Sequence, residues 1–341
     1  FLPPARADPM TAPSPSQAFA AARGGAVVAR LPGLAFLDAS GADAIAFLHG
    51  QLSNDVAGLA PGTAGWATYN SPKGRMLATM LVWRPAAGPA GRLALSADLA
   101  EPIRKRLAMF VLRSKVTLAA SAPPLAAIGV GGPAAAAAVR SALGVDPASM
   151  RAVALDGGGE AIALADGRVL VAVPADRADA VAAALALHAL PADETVWRWL
   201  AIRAGVAQIT LATQERHVPQ MANWEVLGGV SFTKGCYPGQ EIVARSQHLG
   251  ILKERAHPFH VDAAPPAPAT PLYSGVFGDQ ACGSVVDAVP VPDGGSALIA
   301  VAQVAAVESG DLRVGAPDGP ALVRLPLPYA LPAGAPKRVK L

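Results

Sequence analysis

The spacing of apolar and polar positions divides the chain into short strands and helices. Residues 26–37 read as a strand with an interruption at Pro32-Gly33. Residues 41–52 read as a helix, because Ala44, Ile45, Phe47, Leu48 and Leu52 recur at helical spacing. Strands at 62–69 and 76–83 pair across Asn70-Ser71-Pro72-Lys73-Gly74, which carries strong turn chemistry. A strand at 93–96, a basic amphipathic helix at 101–110 and a strand from 115 complete an α+β lobe. A second lobe begins with a strand at 125–129 and an alanine-rich helix at 133–143. It continues with a hairpin around Asp166-Gly167, a helix at 177–190 stopped by Pro191, and a helix at 193–204 capped by Asp193. Residues 210–232 are irregular. From His257 onward, short strands separated by Gly and Pro predict a small all-β module, a barrel.

The expected organisation is α+β: a disordered tail (1–25), a first lobe (26–124), a second lobe (125–255), a β-barrel (256–330) and a second tail (331–341). Of the 341 residues, 52% are hydrophobic, but alanine inflates that figure. A formal net charge of +3, with basic residues clustered only at Lys337, Arg338 and Lys340, argues against strong direct nucleic-acid binding. No segment reads as a membrane span. Two cysteines, Cys236 and Cys282, build neither a disulfide framework nor a cysteine-only metal site, which favours a reducing compartment, the cytoplasm. No GxSxG elbow, P-loop or metal-spaced His/Cys cluster is present, and 129–133 (GVGGP) is a poor dinucleotide fingerprint.

Chemistry concentrates at residues 234–241, KGCYPGQE. Pro238-Gly239 turns the chain into a predicted helix at 240–248, which Gly250 ends. Cys236 stands just before that helix and two residues from Lys234. The helix dipole and the ammonium both favour thiolate, so the sequence predicts a lowered pKa. Gly235 and Gly239 permit close backbone approach to a ligand, Tyr237 and Gln240 crowd the thiol, and Glu241 can pair with Arg245 one turn on. The alternative is a buried structural cysteine in a glycine-rich turn. Upstream, Gln220, Asn223 and Trp224 suit a flat heterocycle. Trp197 and Trp199 read as core residues, His49 reads as a helix-surface histidine, and Lys73-Gly74-Arg75 could meet an anionic tail or equally be only solvated.

The segment 234–241, followed by Ile242-Val243-Ala244-Arg245, closely resembles the signature of the YgfZ family of folate-binding proteins. Pro219-Gln220, Asn223, Gly228-Gly229-Val230-Ser231-Phe232, Gly50-Gln51-Leu52, Asn54-Asp55-Val56 and Pro72-Lys73-Gly74-Arg75 extend the likeness over about residues 26–323. The resemblance implies the three-lobed cloverleaf of the glycine-cleavage T-protein around a central tetrahydrofolate pocket, with lobes that can be discontinuous in sequence. It implies Cys236 and Lys234 as the functional pair, and Trp197, Gln220 and Asn223 as folate-binding. Some relatives carry an aromatic near position 34, where this chain has Leu34. The T-protein's acidic pair aligns with Ala78 and Thr79, neither of which ionises, so aminomethyl transfer is not expected. The family is associated with assembly or repair of iron–sulfur clusters, particularly in tRNA-methylthiolating enzymes, which would be the partners. A folate-dependent one-carbon transferase on another substrate is the alternative.

Overall fold

The computed structural model describes residues 13–248 and 252–332. Three sheets build three α+β or β lobes, ending in a barrel-like sheet as expected. In the first, Ala64–Asn70, Met76–Trp83, Gly91–Ser96, Leu34–Ser40 and Thr117–Ala120 lie in that order, all neighbours antiparallel. In the second the order is Leu190–Ala192, Val27–Arg30, Leu125–Gly131, Val169–Pro174, Glu160–Ala163 and Ala152–Ala154, with only its first pair parallel. The third runs Arg313–Val314, Pro271–Tyr273, Gly283–Pro290, Ser296–Gln303, Glu254–Val261 and Leu322–Arg324. Its two edges meet through a bridge between Arg313 and Ala321, which curls it nearly closed.

The stretch at 26–37 is therefore two strands in two sheets. The crossing at Pro32-Gly33 is pinned by the Gly33 amide, which donates to Glu194 Oε1 at 3.0 Å. A side chain at 33 would fall 2.7 Å from that carboxylate. Pro191 is also a correction. The helix ends earlier, at Ala178–Ala186, and Pro191 lies in the edge strand Leu190–Ala192, where a missing N–H is tolerated. The expected tail at 1–25 contains the helix Pro15–Gly24, started by a reciprocal Ser14/Gln17 capping box with proline at the first turn. Its Phe19 is buried against Trp199, ring centroids 5.1 Å apart. The expected helix stop at Gly250 and most of both tails lie outside the described residues. Among the described residues, no helix is long and apolar enough to cross a membrane.

The helix Glu194–Arg203 joins the lobes. Asp193 caps it, accepting from the Thr195 amide at 2.8 Å. Trp197 and Leu200 press onto the second sheet where Gly129 and Gly131 leave no side chain; a Cβ there would lie 2.4 and 2.3 Å from them. This is the physical use of the 129–133 glycines. On its other side Arg198 pairs with Asp287 of the barrel. The first and second sheets are tied by Arg92, which donates to Asp38 at 2.6 Å and to Glu160 at 2.9 Å, all three nearly buried.

His217 and His257 are buried where the barrel meets the lobes. The His217 carbonyl accepts from the Met76 amide, and its ring lies 3.5 Å from Ser284 Oγ of the barrel. Burial pushes both imidazoles down to about 4, helped by Arg216 and Arg75 beside His217 and by Arg324 and Arg255 beside His257. The fold thus holds them neutral, whereas the unfolded chain takes up protons below about 6.5. Their stabilisation is complete above that value and is lost as pH falls toward 4, at up to about 1.4 kcal/mol per pH unit for each. The urea midpoint is expected to fall between about pH 7.5 and about pH 5, and to fall less in His257→Phe. Equal slopes for variant and wild type would contradict the assignment.

Candidate functional site

Three separated segments, 49–55, 66–75 and 228–241, close on one another, and the last carries Cys236. The first contact is polar. Ser53 is fully buried; its hydroxyl donates to the Gly229 carbonyl at 2.6 Å and accepts from the Thr68 amide at 2.8 Å. Asn54 donates to the carbonyls of Gly228 and Trp66 at 2.8 and 2.7 Å. The second contact is steric. Gly74 and Gly239 both have positive φ, 71° and 77°, and lie back to back. A Cβ on Gly239 would stand 2.4 Å from the Ser71 carbonyl and 2.7 Å from Gly74 Cα. The turn of 71–75 and the turn before the helix Gln240–His248 therefore fit only without side chains.

Lys234 reaches across this joint. Its ammonium donates to the carbonyl oxygens of His49 and of Leu52, the latter at 2.5 Å, at the C-terminal end of the helix Ala44–Gln51. Those carbonyls have no partner within the helix and carry its negative end. The ammonium also lies 4.9 Å from the Tyr237 ring centroid. Burial pushes Lys234 down to about 8, with Asp55 and Cys236 acting in the opposite sense. Buried Tyr237 is pushed up to about 12. His49 Nδ1 lies 3.2 Å from Asp55 Oδ1, and its Nε2 is the nearest group to the open face of Gly235. His49 is thus part of the site and not simply a surface residue. Cys236 is exposed, while Cys282 is buried in the barrel core, where burial raises its pKa.

Trp197 belongs to a second feature, a narrow cleft at the meeting of the first two sheets. Trp66, Trp197 and Trp224 wall it, Leu34 lines it, and Thr79, Arg168 and Gln208 are its polar members. The Arg168 guanidinium stacks 4.4 Å from the Trp197 ring and is held by Asp166 through Nη2 at 2.6 Å. Trp224 donates from Nε1 to the Ala207 carbonyl at 3.1 Å, which fixes its plane. Trp66 also lines a neighbouring cleft with Asn54, Asp55 and Gly228, so one indole stands between the central cleft and the surroundings of Lys234.

Two of the residues expected to hold a ligand do not line this cleft. Gln220 is fully buried and its amide donates to the Val243 carbonyl at 2.7 Å. Asn223, at φ 62°, donates to the Ala256 carbonyl and to the Tyr329 hydroxyl. Their amide nitrogens join the irregular segment to the helix 240–248 and to the barrel. Gln240 accepts from the Tyr237 amide at 3.2 Å and shapes the turn. Glu241 and Arg245 are both exposed and 3.8 Å apart, a solvated pair worth little. Trp66, Arg168 and Gln208 were not singled out from sequence. Arg168 follows the Asp166-Gly167 turn, and only the bidentate pairing with Asp166 distinguishes it from an ordinary hairpin residue.

The likeness first drawn from the signature extends over most of the chain. A tRNA-modifying protein YgfZ from Klebsiella pneumoniae is 31% identical over 292 residues, covering 83% of this chain and 86% of that protein. The chain belongs to the YgfZ family. A further YgfZ, from Sodalis glossinidius, is 32% identical over 290 residues with the same coverage. No protein-family model matches the chain. Among solved structures, the glycine cleavage system aminomethyltransferase T from Bartonella henselae superposes with a TM-score of 0.74 at 15% identity, covering 92% of this chain and 88% of that one. The YgfZ chain therefore has the aminomethyltransferase fold.

The steric part of the joint is separable by mutation. Gly228 and Gly239 share the same backbone strain, φ 75° and 77°, but only Gly239 has neighbours in the way. Gly228→Ala is expected to cost about 1 kcal/mol, from conformation alone. Gly239→Ala is expected to cost a further 1–3 kcal/mol or so from overpacking. Urea denaturation of both variants measures the difference, and equal costs would mean the two turns are not in contact.

Proposed function

We propose that this protein is a cytoplasmic, folate-binding accessory factor for iron–sulfur enzymes, tRNA-methylthiolating enzymes among them, and that it acts through Cys236. The observation that carries the reading is the lining of the central cleft: three indoles, one held cation and no carboxylate among the described residues. Indole faces and a stacked guanidinium suit the flat heterocycle of a folate. Trp66, Trp197 and Trp224 would hold the ring system, with Arg168, Gln208 and Thr79 as polar contacts. Tetrahydrofolate, when bound, supplies a carrier of one-carbon units on reduced ring nitrogens.

The residues at positions 78 and 79 disfavour the transferase reading. Ala78 is fully buried in the strand Met76–Trp83. The neighbouring Thr79 hydroxyl accepts from the Ile209 amide at 3.0 Å. Neither residue takes a proton from an amine at neutral pH. The relatives' description as tRNA-modifying proteins favours a role in tRNA modification.

The chain's own chemistry centres on an exposed thiol beside a half-buried amine. One thiolate does not hold an iron–sulfur cluster by itself. Cys236 thus supplies one ligand or one sulfur nucleophile, and the partner or the folate supplies the rest. Lys234, pushed by burial down to about 8 and seated on helix carbonyls, positions the 234–237 turn.

Calorimetry with tetrahydrofolate tests the cleft. Wild type is expected to bind, Trp197→Ala to bind at least about tenfold more weakly, and Trp197→Phe, which keeps the packing on Gly129, to lie between. No binding by folded wild type would sink the folate reading. Cys236→Ser, expressed in cells lacking the wild type, is expected to leave 2-methylthio-modified tRNA depleted; full restoration would remove the thiol from the mechanism. Turnover of labelled methylene-tetrahydrofolate by the purified protein would establish the transferase instead.

A further inference from the structure

Lys234 is the cation beside Cys236, but its protons are directed elsewhere. An ammonium has three N–H groups. Two of them go to the carbonyls of His49 and Leu52, and the Tyr237 ring centroid lies 4.9 Å from the nitrogen. Lys234 therefore acts on the Cys236 sulfur through its charge and not through a hydrogen bond.

The neighbouring helix supplies a donor. His49 stands in the last turn of the helix Ala44–Gln51. The Ala57 amide donates to its Nδ1 at 3.3 Å, so the neutral ring carries its proton on Nε2. A second proton goes to Nδ1, where Asp55 Oδ1 lies 3.2 Å away. Nε2 is therefore an N–H donor in both charge states of the ring. Asp55 is itself fixed by the Gly58 amide, which donates to the same Oδ1 at 2.9 Å. The ring is thus held through one nitrogen and presents the other.

The nitrogen it presents faces the thiol turn. A Cβ on Gly235 would have His49 Nε2 at 4.0 Å as its one neighbour within that distance, apart from the adjoining residues of the chain. Nothing else fills the approach. The Cα of Cys236 follows that of Gly235 at about 3.8 Å. The exposed sulfur is therefore within reach of the His49 N–H, directly or through one water. A side chain at 235 would stand between them, which gives this glycine a use that its neighbour Gly239, packed against the 71–75 turn, does not share.

We propose that His49 is the positioning residue for Cys236: its Nε2–H donates to the thiolate, while Lys234 supplies charge and Asp55 holds the ring. This rests on the thiol role proposed above, but its test needs neither folate nor a client enzyme. The purified full chain is treated with iodoacetamide between about pH 6 and about pH 10. The alkylation rate of Cys236 is read by peptide mass, which separates it from buried Cys282. A hydrogen bond to a charged group is worth about tenfold or more in the ionisation equilibrium. Roughly half of that, on a logarithmic scale, is offset by the lower nucleophilicity of a stabilised thiolate. His49→Leu is therefore expected to slow alkylation about threefold or more near pH 7 and not to slow it near pH 10, where an ordinary thiol is ionised. His49→Gln, which keeps an N–H donor, is expected to lie between His49→Leu and wild type, and Asp55→Asn to slow alkylation less than His49→Leu does. If His49→Leu does not fold, His49→Asn, whose amide is too short to reach position 235, takes its place. Equal rates for variant and wild type near pH 7 overturn the contact. Slowing by one constant factor at every pH also overturns it, because that marks a change in access to the sulfur and not in its charge. The thiol role itself fails in a different assay, the restoration of tRNA modification by Cys236→Ser, so the two failures are distinguishable.

Discussion

A ten-residue helix can lie flat on the second sheet only because residues 129 and 131 have no side chain. The other lobes take their places from that contact. Glu194, at the start of the helix, receives the amide of the crossing between the first and second sheets. Arg198, on the far face, takes Asp287 of the barrel. Trp199 receives Phe19 of the N-terminal helix, and Trp197, on the sheet side, becomes one wall of the central cleft. A methyl group at 129 would lift the indole off the sheet and disturb every one of these joints, since a close-packed interior transmits such displacements.

The thiol site depends on a different kind of closeness. The 71–75 turn, the 49–55 segment and the 228–241 segment are held by glycine against glycine, by a buried serine and by one lysine on helix carbonyls. The outcome is a rigid base with an exposed sulfur on it. The cleft and the sulfur are neighbours through Trp66 and the 54–55 pair and do not form one chamber. A chemistry in which bound ligand and thiol act in sequence suits this layout better than one in which both grip the same atom.

Much of this was legible in the sequence. The strand pair around 70–74, the Asp193 cap and the helix at 240–248 follow from local periodicity and turn chemistry, and they stand where those rules put them. The signature 234–241 lies where three separated segments of the chain meet. What was illegible is non-local. Nothing within residues 26–37 says that two adjacent strands enter different sheets, because that is decided by Glu194, over 150 positions away. Gln220 and Asn223 look like ligand-binding amides until Val243 and Ala256 are seen to consume them. Arg168 looked like hairpin filling because its partner indole comes from a helix 29 positions on.

The interleaving of the first two sheets also sets an order of assembly. Val27–Arg30 finds its neighbours only in Leu125–Gly131 and Leu190–Ala192, and the turn before Met76 waits for residues near 217 and 239. A ribosome making this chain from its N-terminus leaves Val27–Arg30 without a partner until residues 125–131 have emerged, and with one edge open until residues 190–192, more than half of the protein, follow. Such high contact order slows folding and prolongs the life of an open strand edge. The nascent chain should therefore be a stronger client for chaperones than its finished core would suggest, and its exposed thiol is set in place only after the 49–55 and 71–75 segments that hold its turn exist.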